Sequence, residues 1–400
     1  MNTSTILRGD ALEYLRDLPD NSVDSICTDP PYGLSSTSSQ QVTETLSRWL
    51  DGERDFVPQA RGFMGRSWDA FVPPPAVWDE CLRVLKPGGH IAVFAGARTQ
   101  DLMGMSVRLA GFEMRDGLGW ARSGGMPKTQ DLGKQMAKAG IEGSEKFAGW
   151  SAGLKPAIEP ILLGRKPFKG SLTLNAADHG TGALNIDATR IVHRSEADRA
   201  ESEGKNRHAQ YGTAPGRNDV FGDYSMIKSK DYDGAQGRWP SNLIIDDIQA
   251  ELLDRQSGTS RSRKGEPRRS AEPGNGWGAT KTGAEYDDEG GASRFFLVTD
   301  RLDNLETRLI FAPRANAAER PVVNGVQHST VKPLSLMRYL AKLITPNGGV
   351  ILEPFAGSGT TVEAALLEGF RVVAIEREPD YWPLIEQRVQ RAAAGIEVAA

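Results

Sequence analysis

The chain has 400 residues, enough to bury a sizeable core in one large or two modest domains. Its 48 Lys and Arg nearly balance 52 Asp and Glu, and apolar content is ordinary, which together describe a soluble protein. No apolar run approaches a membrane span and the N-terminus lacks a signal-peptide pattern. Cys27 and Cys81 are the only cysteines and both sit among apolar residues, so buried reduced thiols are expected rather than a disulfide. With five scattered histidines they form no ligand-spaced cluster, so no metal is expected and the compartment expected is the cytoplasm.

Thr5-Ile6-Leu7-Arg8 reads as a short strand, with Gly9-Asp10 turning at its carboxyl end. Leu12, Leu15 and Leu18 recur at helical spacing up to Pro19, and Val23, Ile26 and Cys27 mark a buried parallel strand. These three segments form a β-α-β unit whose crossover should be right-handed. Pro30 and Pro31 forbid the second strand from continuing, because neither has an amide hydrogen to donate. Asp29 is left at the strand's carboxyl end, where open α/β sheets hold ligands, and the stiff prolines set its carboxylate in a fixed relation to the Tyr32 ring. Residues 35–75 are polar and punctuated by Gly and Pro, and read as a long loop over this site. A helix follows over 76–85, stopped by Lys86-Pro87-Gly88-Gly89, then a strand from His90 to Phe94 and a helix over 99–110. Further strands are predicted from Phe112 to Trp120 and from Ala157 to Leu163, where Pro160 favours a sheet edge.

From 166 to 325 apolar periodicity is poor and Gly, Asp, Arg and Ser dominate, with islands such as Leu243-Ile244-Ile245. This stretch reads as a loop-rich insertion. Within it Arg255, Arg261, Arg263, Lys264, Arg268 and Arg269 face a single acid, Glu266, between 255 and 269. In an otherwise acidic chain such a run is either a solvated face or a loop that contacts phosphates. Trp239, Trp277 and Phe295 are candidates for phosphate contact or wedging, or equally for core packing.

Order returns at Thr330-Val331-Lys332-Pro333, which opens a helix carrying Leu336, Met337, Leu340 and Ile344 on one face. Val350-Ile351-Leu352 is a buried strand followed by Glu353-Pro354-Phe355-Ala356-Gly357-Ser358-Gly359-Thr360-Thr361, a helix ending at Gly369, and the strand Arg371–Ile375 with Glu376 at its tip. A last helix carries Tyr381, Ile385 and Val389. A strand, glycine turn, helix, second strand and terminal acid describe a nucleoside-binding half. Glu376 lies 17 residues after Gly359, suitably placed to accept from both ribose hydroxyls. The third glycine of the dinucleotide fingerprint is missing, which disfavours a pyrophosphate-binding oxidoreductase.

With Asp29-Pro30-Pro31-Tyr32 first, the insertion second and Phe355-Ala356-Gly357-Ser358-Gly359 last, the chain resembles the beta group of DNA amino-methyltransferases, and loosely the phage-type methylases. The match covers roughly residues 5–34, 76–165 and 328–392. The resemblance implies an α/β, Rossmann-like class I S-adenosylmethionine-dependent methyltransferase fold, circularly permuted. Residues 1–165 would be its catalytic half, 166–325 a target-recognition insertion and 326–400 its cofactor half. It implies that Asp29, Pro30, Pro31 and Tyr32 are catalytic. It places Asp10 and Ala11 by the cofactor adenine, Thr330 and Lys332 on its carboxylate, and Phe355, Gly357 and Gly359 around the methionine part and ribose. Glu376 falls on the ribose hydroxyls. Asp29, Pro333, Glu353, Ala356, Ser358, Thr360 and Thr361 complete the cofactor set, and Arg261, Arg263, Lys264, Arg268 and Arg269 would contact double-stranded DNA. The implied reaction methylates the N6 amine of a flipped adenine, the alternatives being cytosine N4 or a non-catalytic DNA-binding subunit of a pair. The resemblance also admits a homodimer and a companion restriction nuclease.

Overall fold

Strands from the two ends of the chain interleave in one sheet. A computed structural model describes residues 4–60, 62, 67–121, 130–193, 196, 199, 216–218, 222–224, 237–245, 247–261, 289–298, 315 and 319–395. The N-terminal elements are β1 (Ser4–Arg8), α1 (Ala11–Asp17), β2 (Val23–Thr28), α2 (Ser39–Leu50), α3 (Pro75–Val84), β3 (Leu85–Phe94) and α4 (Gln100–Leu109). Next come β4 (Glu113–Met114), β5 (Leu118–Ala121), α5 (Leu132–Lys138), β6 (Ile158–Arg165), α6 (Leu172–His179) and β7 (Leu243–Ile245). The C-terminal part holds α7 (Leu334–Ile344), β8 (Val350–Glu353), α8 (Thr360–Leu367), β9 (Arg371–Glu376) and α9 (Trp382–Ala393).

The sheet order is β1-β9-β8-β2-β3-β6-β5-β7, followed by the short strand Leu297–Val298, with β4 also on β6. All neighbours from β1 to β3 are parallel, whereas β6 runs antiparallel to β3, β4 and β5. The predicted first β-α-β unit therefore holds, but β1 and β2 are not partners: β9 and β8 lie between them. The reason is burial. All six residues of β2 are buried, so it takes a partner on each side, and β8 supplies the second. Helices α1, α3 and α4 pack as one group and α7, α8 and α9 as another. Leu15, Ile26, Trp78, Cys81, Leu85, Ile91 and Met103 form the fully buried centre of the core.

Three expectations are corrected. Residues 35–75 are not loop throughout, because α2 occupies Ser39–Leu50. Its polar sequence hides Val42, Leu46 and Trp49 on one helical face, and a capping box starts it: Gln41 N donates to Ser38 Oγ and Ser38 N to Gln41 Oε1. The strand expected from Phe112 to Trp120 is split into β4 and β5. And β6 is an interior strand despite Pro160. The Pro160 carbonyl accepts from Ala95 N just past the end of β3, so the missing amide falls beyond that ladder.

The chain divides into two compact units, Met1–Asn185 with Asn242–Gln249 and Val298–Ala400, and Ile186–Ser241 with Ala250–Leu297. The second is narrower than the expected 166–325 insertion. Helix α6 belongs to the first unit because Asn175 Nδ2 and Thr181 Oγ1 both donate to the Pro87 carbonyl. The Leu243-Ile244-Ile245 island joins it as β7, parallel to β5. Within the second unit Ile191 bridges Arg238, and the Asp254 carboxylate accepts from the amide and hydroxyl of Ser293.

Trp49 anchors α2: it is 1% exposed, its Nε1 donates to the Phe56 carbonyl at 2.8 Å, and its ring meets Phe71 edge-on at 5.8 Å. Trp49→Ala is expected to lower the unfolding free energy by about 3–5 kcal/mol, read from the urea midpoint at unchanged slope.

Candidate active site

Parallel pairing brings the carboxyl ends of β1, β9, β8, β2 and β3 to one edge of the sheet. Asp10, Glu376, Glu353 and Asp29 each sit at such an end, and Glu159 enters from the opposite direction at the start of β6. Asp29 accepts from Tyr32 Oη on Oδ1 at 2.8 Å and from Lys332 Nζ on Oδ2 at 2.5 Å. Lys332 is buried and also lies 3.1 Å from Tyr32 Oη and 3.6 Å from Glu159 Oε2. The turn after Pro31 is held from outside. Thr99 Oγ1 donates to the Tyr32 carbonyl and Gly33 N to Asp69 Oδ1, while Gly96 leaves no room for a side chain beside Tyr32.

The second turn is organised by two buried carboxyl groups. Glu353 accepts from Thr28 Oγ1 at 2.5 Å, Thr361 Oγ1 at 2.6 Å and Phe355 N at 3.0 Å. Burial raises its pKa to about 8 against the pull of those donors. Glu376 accepts from Glu378 N at 2.7 Å and Gly357 N at 2.6 Å, and burial raises it to about 7. Gly357 has φ 52°, and a side chain there would stand 3.2 Å from His328 Nε2. Gly359, at φ 81°, caps the start of α8, and a side chain there would be strained and would stand 3.1 Å from Ile385 Cα of α9. Its missing side chain thus serves helix packing.

A cavity of about 1260 Å³ opens on this edge. Every expected catalytic and cofactor residue lines it except Pro333, which begins α7, and Gly359. Asp10 also caps α1 by accepting from Leu12 N at 2.9 Å. Thr330 is exposed, with its carbonyl and amide against the His328 ring. Lys332, expected on a cofactor carboxylate, is engaged with Asp29. Sequence reasoning missed Glu159, His328 and Trp120 as cavity residues. Each is brought in by strand pairing or by a loop, and no local pattern marks them. Burial pushes the Cys27 and Cys81 thiols up, so neither is poised as a nucleophile.

Of the expected DNA contacts, Arg263, Lys264, Arg268 and Arg269 lie outside the described residues, as does Trp277. Arg261 is described only in its backbone, in a two-residue strand paired with Glu289–Gly290. Within the second unit Arg294 and Arg238 lie over the Phe295 ring at 4.4 and 5.2 Å, and Arg190 over the exposed Trp239 at 5.8 Å. Among the described residues no cluster suits a metal ion, and no helix is long and apolar enough to cross a membrane.

A parallel sheet with a proline-stopped acid on one strand tip, and a glycine turn and an acid on the two adjoining tips, defines a nucleoside-cofactor α/β domain. The sequence matches the DNA methylase family over residues 23–387, and the chain belongs to that family. Its fold is the Rossmann-like methyltransferase fold, circularly permuted so that β8 and β9, which carry the glycine turn and Glu376 at their ends, come last in the chain and lie between β1 and β2. The chain is 27% identical over 208 residues to type II methyltransferase M.HindIII of Haemophilus influenzae, covering 45% of this chain and 64% of that protein. It is 43% identical over 63 residues to M.BglI of Bacillus subtilis, covering 16% of this chain and 18% of that one. The matched stretch is thus less than two thirds of either relative. Among solved structures, the cytosine-N4-specific PvuII DNA methyltransferase aligns over 99% of this chain and 94% of its own, at 13% identity and a TM-score of 0.43, too loose a likeness to decide the base.

Glu353 supplies a pH test. Its carboxyl titrates near 4.5 when unfolded and about 8 when folded, so the folded state holds the extra proton between those values. Stability contributed by this group therefore falls as pH rises through that window. Glu353→Gln is uncharged throughout, and the urea midpoint of the wild type relative to this variant is expected to drop from about pH 5 to about pH 8. A constant difference would show that the carboxyl ionises normally.

Proposed function

We propose that this chain is an S-adenosylmethionine-dependent DNA methyltransferase acting on the N6 amine of a flipped adenine in duplex DNA. The observation that carries the reading is the convergence of Asp29-Pro30-Pro31-Tyr32 and the Phe355–Gly357 turn on one cavity, with Glu376 at the adjoining strand tip. The residues suit the cofactor. Phe355, Ala356 and Gly357 line one wall, with no side chain at Gly357, Glu376 keeps lone pairs for ribose hydroxyls, and Asp10 with Ala11 borders the same space. When bound, S-adenosylmethionine supplies an electrophilic methyl group on a sulfonium.

An exocyclic amine is a poor nucleophile because its lone pair is delocalised into the ring. The Asp29 carboxylate and the Pro30 carbonyl accept its two N–H groups and draw the nitrogen towards tetrahedral geometry. Tyr32 stacks on the base, which must leave the duplex because its amine is paired there. Asp29 would stabilise the positive charge that builds up on the nitrogen as it accepts the methyl group. The surplus proton then leaves the methylated amine to solvent, so no covalent enzyme intermediate is needed. Asp at the first motif position favours adenine over cytosine, following the family pattern. Recognition of the flanking sequence falls to the second unit, with its arginine-rich run as the phosphate-contacting loop.

Incubation with labelled S-adenosylmethionine and unmethylated duplex DNA, followed by digestion to nucleosides, is expected to place label in N6-methyladenine. Label in N4-methylcytosine would keep the mechanism and overturn the base. Asp29→Ala is expected to lose about 10²-fold or more in kcat, the scale of removing one transition-state-stabilising group, with a much smaller loss of cofactor affinity. A folded variant that loses cofactor affinity as strongly as turnover would contradict the catalytic role given to Asp29.

A further inference from the structure

Between β5 and β6 the chain makes an excursion whose last residues form part of the cavity wall. Asp131 pins its base. The Asp131 carboxylate accepts from Lys134 N at 3.1 Å, in the first turn of α5, and from Gly149 N at 3.0 Å, while its backbone bridges Ser151. Leu132 N donates to the Trp150 carbonyl at 2.8 Å, and Gly133 leaves no room for a side chain beside the Ser144 carbonyl. On the other side Ile158 opens β6 and pairs with Ala121 of β5. Residues 152–157 are thus held at both ends, and Pro156 narrows the backbone freedom of Lys155. All of them line the cavity, yet Leu154 is 93% exposed, more than any other large apolar side chain among the described residues. A side chain that borders the cavity and still meets solvent stands at its mouth. Five residues on is Glu159, whose carboxylate lies 3.6 Å from the Lys332 ammonium that bonds Asp29. Five residues of chain span at most about 17 Å, so the mouth stands close to the reacting group. Single exposed leucines are common and need no partner. The place of this one, on a fixed rim, gives it a role.

We propose that Leu154 is a positioning residue that enters the duplex as the target base leaves it and fills the space the base vacates. The proposal rests on the methyl-transfer reading of the same site. A base swung out of the helix leaves its neighbours unstacked, and an apolar side chain inserted there covers their faces. Leucine suits the place because it brings no polar group that would need a partner inside the stack. It is buried only in the flipped complex, so its burial favours that state over the paired duplex. Duplex DNA fits this rim better than a second copy of the chain does, because a second copy seated there would cover the mouth through which the base must pass.

The test uses the full chain and a short duplex of the sequence that the wild-type protein methylates, once with the target base paired and once with it facing an abasic position. Leu154→Ala is expected to weaken binding of the paired duplex about tenfold and to slow single-turnover methylation by a similar factor. On the duplex whose target base is already unpaired, variant and wild type should agree within about twofold, since less unpairing remains to be offset. Leu154→Met keeps the apolar volume and should retain most of both readouts. Cofactor affinity and the urea midpoint should not change, because the side chain is exposed in the free protein. Equal loss on both duplexes would make Leu154 an ordinary contact, no loss would leave it without a role, and a lowered urea midpoint would assign it to packing. Each of these overturns the proposal while the methyltransferase reading stands. So does a wild-type dimer that Leu154→Ala dissociates, which would give the rim to a second copy. A wild-type protein that transfers methyl to no DNA overturns that reading and the inference with it.

Discussion

The carboxyl group of Glu353 joins two parts of the chain that are 325 residues apart in sequence at its bond to Thr28. One oxygen takes the Thr28 hydroxyl at the end of β2 and the Phe355 amide, and the other takes the Thr361 hydroxyl at the start of α8. The residue after Thr28 is Asp29, and the residues between Phe355 and Thr361 are the glycine turn. A single buried side chain thus fixes the distance between the group that would hold the substrate amine and the turn that would hold the cofactor. Methyl transfer requires that distance to be held closely, since in-line displacement tolerates little misplacement. Burying a carboxyl is costly, and the raised pKa of about 8 is the form that cost takes: the group keeps its proton instead of a charge.

The same economy of charge runs through the surrounding packing. Glu363 on α8 is fully buried and bonded to Arg388 and Arg391 of α9, and Arg388 also donates to the Glu319 carbonyl. Removing one partner of such a pair leaves an uncompensated charge and is strongly destabilising, so the set fixes how α9 lies on α8. That placement leaves little room at Gly359, where a side chain would stand 3.1 Å from Ile385 Cα of α9. At the cavity the balance is different. Lys332 is buried, while Asp29 and Glu159 are partly enclosed, and all three border the cavity.

Local chemistry decides most of what is recognisable from the amino-acid sequence. Two prolines stop β2 at Asp29 wherever β2 lies, and glycines stand at 357, 359 and 369, where the backbone adopts positive φ. The strands β1, β2, β8 and β9 and the helices α1, α3, α7, α8 and α9 follow from apolar spacing, and the motif order points to the family. Where the sequence misleads, a nonlocal partner is responsible. Helix α2 looks like loop because its few apolar residues acquire meaning only when Trp49 finds Phe71 and Phe56. The island at Leu243 looks like part of an insertion until β5 accepts it as a strand, and Pro160 suggests an edge because its pairing with Ala95 cannot be read locally.

The sequence by itself therefore determined most of the elements, the family and the identity of the groups at each strand tip. Only the tertiary structure decided which tips stand side by side. Strand order is a matter of burying β2 on both edges, a requirement that residues hundreds of positions away compete to meet. For the same reason it decided that Lys332 lies between Asp29 and Glu159. The strength of a buried charge depends on what lies within a few ångströms, and sequence distance carries no information about that.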